Sequence, residues 1–296
     1  MSHQTCRGCG SSVATGDQYC EVCGLRQPSE ADHLERDLGA AAGVTDRGIR
    51  HERNEDAFAL RAIGKHTIVA VVCDGVSTSD RPDQAARLAS TTAADSIVNE
   101  LTEGVDPETA TATAIDAAAK AVTGLADPAV DVDRAPASTY VSAIVTTDAV
   151  IVGWLGDSRA GWLAADQTST SAWLTTDDSW AVDVVASGEL DYAQAQADPR
   201  SHALTGWLGA DAATVDSAAH VVTVRPTGPG VLLLCSDGLW NYRSDPDELA
   251  ELILPEAPTA PLDAAKTLVR YALSRGGQDN ITATVIPFPP FSFVQE

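Results

Sequence analysis

The chain has 296 residues, enough for one large domain with its own core and a small appendage. Its 42 Asp and Glu outnumber 19 Lys and Arg, and the formal charge of −23 argues against nucleic acid or an anionic membrane as the main partner. No apolar run approaches the ~20 residues of a membrane helix.

The start, Met1-Ser2-His3-Gln4-Thr5-Cys6, lacks the basic-then-apolar pattern of a secretory signal. Four of the six cysteines form two hooks, Cys6-Arg7-Gly8-Cys9-Gly10 and Cys20-Glu21-Val22-Cys23-Gly24. The doubled spacing reads as a four-thiolate zinc site, closed and therefore structural. In a ribbon this short the metal supplies most of the folding energy, and the expected role is protein interaction or tethering. Cys73 and Cys235 lie inside apolar runs, where a free Cys acts as a small hydrophobe, so a reducing, cytoplasmic compartment is expected. Residues 1–27 are read as the ribbon. Residues 28–40 are read as a polar linker with a short helix through Leu34 and Leu38 and a solvated His33. Residues 41–290 are read as the main domain and 291–296 as a tail.

Within the main domain apolar strands keep meeting acids. Ala57–Leu60 is entered through Glu55-Asp56, and Thr67–Cys73 runs into Asp74-Gly75-Val76. Asp80-Arg81-Pro82 opens a helix, with a capping-type residue ahead of Pro. A second helix follows Asp106-Pro107 and runs to Leu125. The Asp-rich loop 127–133 lacks the glycine and closing glutamate of a calcium loop and reads as solvated. Thr139–Val145 and Ala149–Leu155 form a hairpin that delivers Asp157. Gly156-Asp157-Ser158-Arg159-Ala160 fails the serine-hydrolase elbow at Ala160, and Arg159 is expected to pair with carboxylates. Trp180–Gly209 carries no strong strand. His220–Val224 and Val231–Ser236 read as a hairpin around Pro226–Gly230, with Asp237-Gly238 after it. Helices follow from Asp245-Pro246 and from Pro261 to Arg275, the latter stopped by Gly276-Gly277. A last strand, Ile281–Ile286, is entered through Asp279-Asn280. One Asp-Gly is a hairpin turn; an acid at each of these strand ends points to oxygen ligands for hard cations such as Mg²⁺ and Mn²⁺. Strands outnumber parallel crossover signals, so the expected fold is α+β: a four-layer αββα sandwich of two mainly antiparallel sheets, preceded by a small zinc ribbon.

These residues carry a resemblance. Arg53-Asn54-Glu55-Asp56-Ala57, Asp74-Gly75, Gly156-Asp157-Ser158-Arg159, Ser236-Asp237-Gly238-Leu239 and Asp279-Asn280-Ile281-Thr282 stand in the order and spacing of the metal-dependent type-2C protein Ser/Thr phosphatases, the PPM family. The likeness spans residues 41–288. It implies a phosphatase acting on phosphoserine and phosphothreonine proteins in signalling, with two Mn²⁺ or Mg²⁺ ions and a third, weaker site. Asp74 would bridge the ions, Gly75 and Glu55 would lie on one, and Asp237 and Asp279 on the other. Asp56 would stand behind them, and Asp157 with Asp237 would form the third site. Ions ~3.5–4 Å apart would activate a bridging water for in-line attack on phosphorus, without a phosphoenzyme.

The segment 180–209 resembles the family's mobile flap, and Asp177-Asp178-Ser179 departs from its frequent Asp-His-Ser. Two further departures bear on chemistry. Val76 stands where many eukaryotic members have a proton-donating His, and His51 where the family's phosphate-binding Arg stands. Either His51 binds phosphate or donates a proton, or Arg50 or Arg53 takes the phosphate. The alternative function is a catalytically weak pseudophosphatase serving as a binding module, which the full set of motif acids argues against.

Overall fold

The computed structural model describes residues 3–6, 9–14, 17, 19–24, 32–127, 129, 131–166, 169–212 and 219–290. The boundary expected at residues 27 and 28, and the tail 291–296, lie outside the described residues. The first hairpin pairs β1 (His3–Thr5) with β2 (Ser12–Ala14) antiparallel.

The main domain follows in chain order. It opens with β3 (His33–Asp37), β4 (Ala42–Asp46), β5 (Asp56–Ile63) and β6 (Thr67–Asp74), then α1 (Pro82–Thr102) and α2 (Pro107–Thr123). Next come β7 (Ala137–Ser138), β8 (Tyr140–Val145), β9 (Val150–Leu155), β10 (Arg159–Ala164) and β11 (Ala172–Trp173). After α3 (Trp180–Ala186) and α4 (Tyr192–Ala197) come β12 (Leu208–Gly209), β13 (His220–Val224) and β14 (Gly230–Cys235). The chain closes with α5 (Asp237–Trp240), α6 (Pro246–Ile253), α7 (Pro261–Ser274) and β15 (Ile281–Phe288).

Two large sheets result, of order β11-β10-β14-β15-β4-β3 and β13-β9-β8-β6-β5, while β12 pairs with β7 in a small one. Every pairing in them is antiparallel. The central strands are apolar on both faces because each face meets a layer. On β6, Ile68, Ala70 and Val72 join Leu232 and Leu234 of the other sheet, while Val69, Val71 and Cys73 join the alanines of α1 and α2. On β14, Val231, Leu233 and Cys235 pack under Leu249 and Leu268 of α6 and α7. The αββα sandwich is thus set by a period-two alternation. Between the sheets the Phe58 ring lies against Gly43, where a Cβ would meet it at 2.5 Å.

Local signals account for most element ends. Asp106 caps α2, its Oδ1 accepting from the backbone N–H of Glu108 and Thr109 at 3.1 Å each. Gly277 N donates to Ala272 O and Gly276 N to Leu273 O, and the positive φ of both glycines closes α7 in a Schellman turn. Asp80 does not cap α1. Its carboxylate takes the Arg81 Nε instead, Arg81 sits at φ 50, and Pro82 begins the helix.

Three expectations are corrected. The short helix through Leu34 and Leu38 is absent, and His33–Asp37 is edge strand β3, bonded along β4. His33 is not simply solvated, since its Nδ1 lies 2.7 Å from Asp46 Oδ2 and its Nε2 3.1 Å from Glu35 Oε1. And β13 does not pair with β14: it borders β9 while β14 lies between β10 and β15, so the turn at Pro226–Gly230 crosses from one sheet to the other. Among the described residues no helix is long and apolar enough to cross a membrane.

Candidate active site

Both sheets end in acids on one rim. β5 and β6 run antiparallel with Asp56 opposite Asp74. Glu55 precedes β5, and Gly75 follows β6 with its N–H on Glu55 O at 3.1 Å. Asp157 follows β9 directly after Gly156, whose φ of 102 suits glycine. Asp237 begins α5 at the end of β14, and Asp279 leads into β15. Asp74, Gly75, Asp157, Asp237 and Asp279 line one cavity of about 180 Å³. Val76, Ser77, Thr139, His202 and Leu204 complete its wall.

Close backbone approach fixes this rim. A Cβ on Gly238 would sit 1.9 Å from Asn280 O, so the Asp237 turn and the Asp279 turn are locked by a residue that has none. Asn280 ties the β5 entry to the same place. Its Oδ1 accepts from Glu55 N at 2.7 Å, and its Nδ2 donates to Arg47 O and Arg53 O. Behind the rim, Asp56 Oδ2 accepts from Ser236 Oγ at 2.6 Å and from Thr282 Oγ1 at 2.7 Å, joining the sheets through a buried polar contact. Asn54 Nδ2 and Thr282 Oγ1 both meet Thr45 Oγ1, which extends that network.

The electrostatics require counter-charge. Burial, reinforced by Asp56, Asp237, Asp157 and Asp279, pushes the Asp74 carboxyl well above the ordinary range. Asp157 is pushed well up by burial and by Asp237 and Asp177, against the opposing Arg159. Burial raises Asp56 to about 7 despite its two hydroxyl donors, and raises Asp237 to about 6 with help from Asp279. Asp237 Oδ1 and Asp56 Oδ1 are buried with no hydrogen-bond partner among the described residues. Crowded, desolvated carboxylates with an orphaned oxygen on the rim are a donor set suited to hard divalent cations. The residues that would hold them are Asp74, the Gly75 carbonyl, Glu55, Asp157, Asp237 and Asp279.

Residues 47–260 match the family described as protein phosphatase 2C. The chain belongs to that family. It is 30% identical over 244 residues to the serine/threonine phosphatase stp of Listeria welshimeri, covering 82% of this chain and 93% of that protein. The protein phosphatase PhpP of Streptococcus pneumoniae is 33% identical over 147 residues, 49% of this chain and 55% of the relative. Among solved structures, Stp1 from Staphylococcus aureus superposes with a TM-score of 0.70 at 21% identity, covering 88% of this chain and 96% of that one. The PstP catalytic domain, solved in complex with two manganese ions, superposes at 0.60 with 21% identity, over 84% and 97% of the chains. The protein is a protein-serine/threonine phosphatase of the 2C type.

Not every residue singled out in this 2C phosphatase faces the cavity. Glu55 is buried beside it, its Oε2 accepting from Ser77 Oγ at 2.7 Å, and Asp56 lies behind. His51 Nε2 stands 3.1 Å from Asp279 Oδ1 without lining the cavity. Arg50 is exposed, and Arg53 reaches Glu55 and Asp83 at 3.7 Å. Arg159 pairs with a carboxylate as expected, forking onto Asp177 at 2.8 and 2.7 Å with its guanidinium 3.7 Å over Trp240. The motif pattern overlooked Ser77, Thr139 and His202: Ser77 lies past the Asp74-Gly75 motif, Thr139 opens its strand instead of ending one, and His202 stands in a segment without a strand signal.

The hooks near the start also meet. The Sγ atoms of Cys6, Cys9, Cys20 and Cys23 lie within 4.8 Å of one another, and the Cys6–Cys23 and Cys9–Cys20 separations are both 3.6 Å. That is near the ~3.8 Å edge of a tetrahedron with ~2.3 Å Zn–S bonds. Hydrogen bonding with Ser11 holds the Cys9 thiol below its ordinary value, which favours the thiolate that a metal takes.

Proposed function

We propose that the protein hydrolyses phosphoserine and phosphothreonine monoesters on other proteins with two Mn²⁺ or Mg²⁺ ions. The single observation carrying this is the carboxylate-walled cavity of about 180 Å³ with an orphaned Asp237 oxygen. Bound there, the ions supply a water nucleophile at neutral pH and neutralise the phosphoryl charge. Asp74 and Gly75 hold one side of the cavity and Asp237 and Asp279 the other, while Asp157 with Asp237 offers the third, weaker position. Asp56 keeps the rim in register through Ser236 and Thr282. His51 holds Asp279 in place from outside the cavity, and the exposed Arg50 steers the phosphate dianion in from solvent. The four-cysteine cluster holds one structural zinc and serves as a docking module. Among the described residues no cysteine is joined in a disulfide, which supports a reducing compartment, the cytoplasm.

Phosphate release from a phosphothreonine peptide, with and without Mn²⁺, tests the reading. Metal-dependent turnover is expected. No turnover at any metal concentration would make the body a binding module.

A further inference from the structure

Given the phosphatase reading, the departing seryl or threonyl oxygen needs a proton, and the cavity walls identify its source. The acid cavity of about 180 Å³ adjoins a larger trough of about 600 Å³. The loop between β6 and α1 forms one side of the trough, and the segment between α4 and β12 forms the other. The phosphoryl group belongs among the acids, whereas a peptide needs the wider trough. The ester oxygen joining them must lie where the two walls are shared. Four residues line both: Val76, Ser77, His202 and Leu204. Val76 and Leu204 have no proton to give. The Ser77 hydroxyl is committed to Glu55 Oε2 at 2.7 Å. His51, the other imidazole nearby, lines neither cavity and is held on Asp279.

We propose that His202 is the general acid of this phosphatase, protonating the leaving oxygen from the rim of the trough. Water oxygen bonds to phosphorus as the P–O ester bond breaks, and the bonding pair stays on the seryl oxygen. The His202 ring N–H gives that oxygen its proton, so the products are the free hydroxyl and inorganic phosphate. The attacking water loses its proton to solvent, and solvent restores the one on His202. An imidazole exposed on a connecting segment is well suited to this, because it can be reprotonated after each turnover.

The test compares His202→Ala with wild type on two esters in saturating Mn²⁺. One is a phosphoserine peptide, whose alkoxide leaves poorly; the other is an aryl phosphate with an electron-poor phenol, which leaves without help. The expected result is a loss of about 100-fold in kcat/KM on the peptide, near-wild-type turnover of the aryl ester, and recovery on the peptide with added imidazole. An equal loss on both esters, or a loss on neither, overturns the proposal. His202 is exposed, so an unchanged melting temperature is expected and separates chemistry from unfolding. A wild-type protein that hydrolyses neither ester refutes the phosphatase reading itself, and this proposal with it.

Discussion

Asp56 and Asp74 are register partners across β5 and β6, so two carboxyl groups stand side by side at the end of one sheet. Like charges directly opposite in an antiparallel pair are destabilising, and burial enlarges the effect. Asp56 is raised to about 7 and Asp237 to about 6, against about 3.9 in an unfolded chain. Between about pH 4 and pH 7 the folded, metal-free protein therefore binds more protons than the unfolded chain. Stability from these groups is full below that window and is lost as pH rises through it. The melting temperature without Mg²⁺ or Mn²⁺ should fall from pH 5 to pH 7.5, and Asp56→Asn should flatten the fall. Each kcal/mol relieved corresponds to about 2–4 °C. Adding Mn²⁺ at pH 7.5 should restore more than it does at pH 5, because protons compete for the same oxygens. An Asp56→Asn profile parallel to wild type would contradict this.

Asp237→Ala and Asp279→Ala should each lower kcat/KM by more than the 10–100-fold typical of outer ligand partners while preserving the circular dichroism spectrum. Both side chains sit on a rim and support no core packing. Asp157→Ala should leave Mn²⁺ affinity at the first two positions nearly intact. Isothermal titration of each variant with Mn²⁺ distinguishes these outcomes, and wild-type affinity in Asp237→Ala would remove that residue from the site.

Truncation separates ribbon from body. Deleting residues 1–27 should abolish a stoichiometry of about one zinc per chain and spare turnover of an aryl phosphate. Deleting residues 1–40 should cost stability as well, since it removes β3 and the buried Asp32. Metal analysis and urea unfolding of the two truncations provide the measurement. Equal stability would show that β3 adds nothing to the sheet.

Arg159→Ala leaves Asp177 uncompensated, its side chain 9% exposed. Losing one member of such a pair costs roughly 3 kcal/mol. Arg159→Lys should recover only part, because an ammonium cannot fork onto a carboxylate or lie flat on Trp240. A double-mutant cycle with Asp177→Asn in urea should show coupling, and additive effects would deny the pair its role.

Much of this was legible in sequence because an apolar run buried on both faces, ending at an acid, is a pattern in one dimension. That pattern located Asp74, Asp157 and Asp237, and its mirror image, a run entered through an acid, located Asp279. Strand β3 carried no such mark. As an edge strand, His33–Asp37 buries little and holds ionisable residues on both sides of a single leucine. The crossing at Pro226–Gly230 was illegible for another reason. The same turn residues serve a hairpin or a step between sheets, and the outcome depends on Val222 and Leu232 facing the interlayer core from opposite sides. Ser77 and His202 acquire meaning only once two loops distant in sequence share a wall.

The contact of Phe58 with Gly43 reaches further than packing. Asp56 and Asp74 hang from one sheet, Asp237 and Asp279 from the other, and beside the Asp56 and Asn280 hydrogen bonds that join the sheets, the filling between the layers sets how far apart those groups stand. The sandwich is a calliper whose jaws are acids and whose opening is gauged by a phenyl ring against a bare α-carbon. A methyl group added at position 43 would widen the jaws without touching substrate, ion or acid.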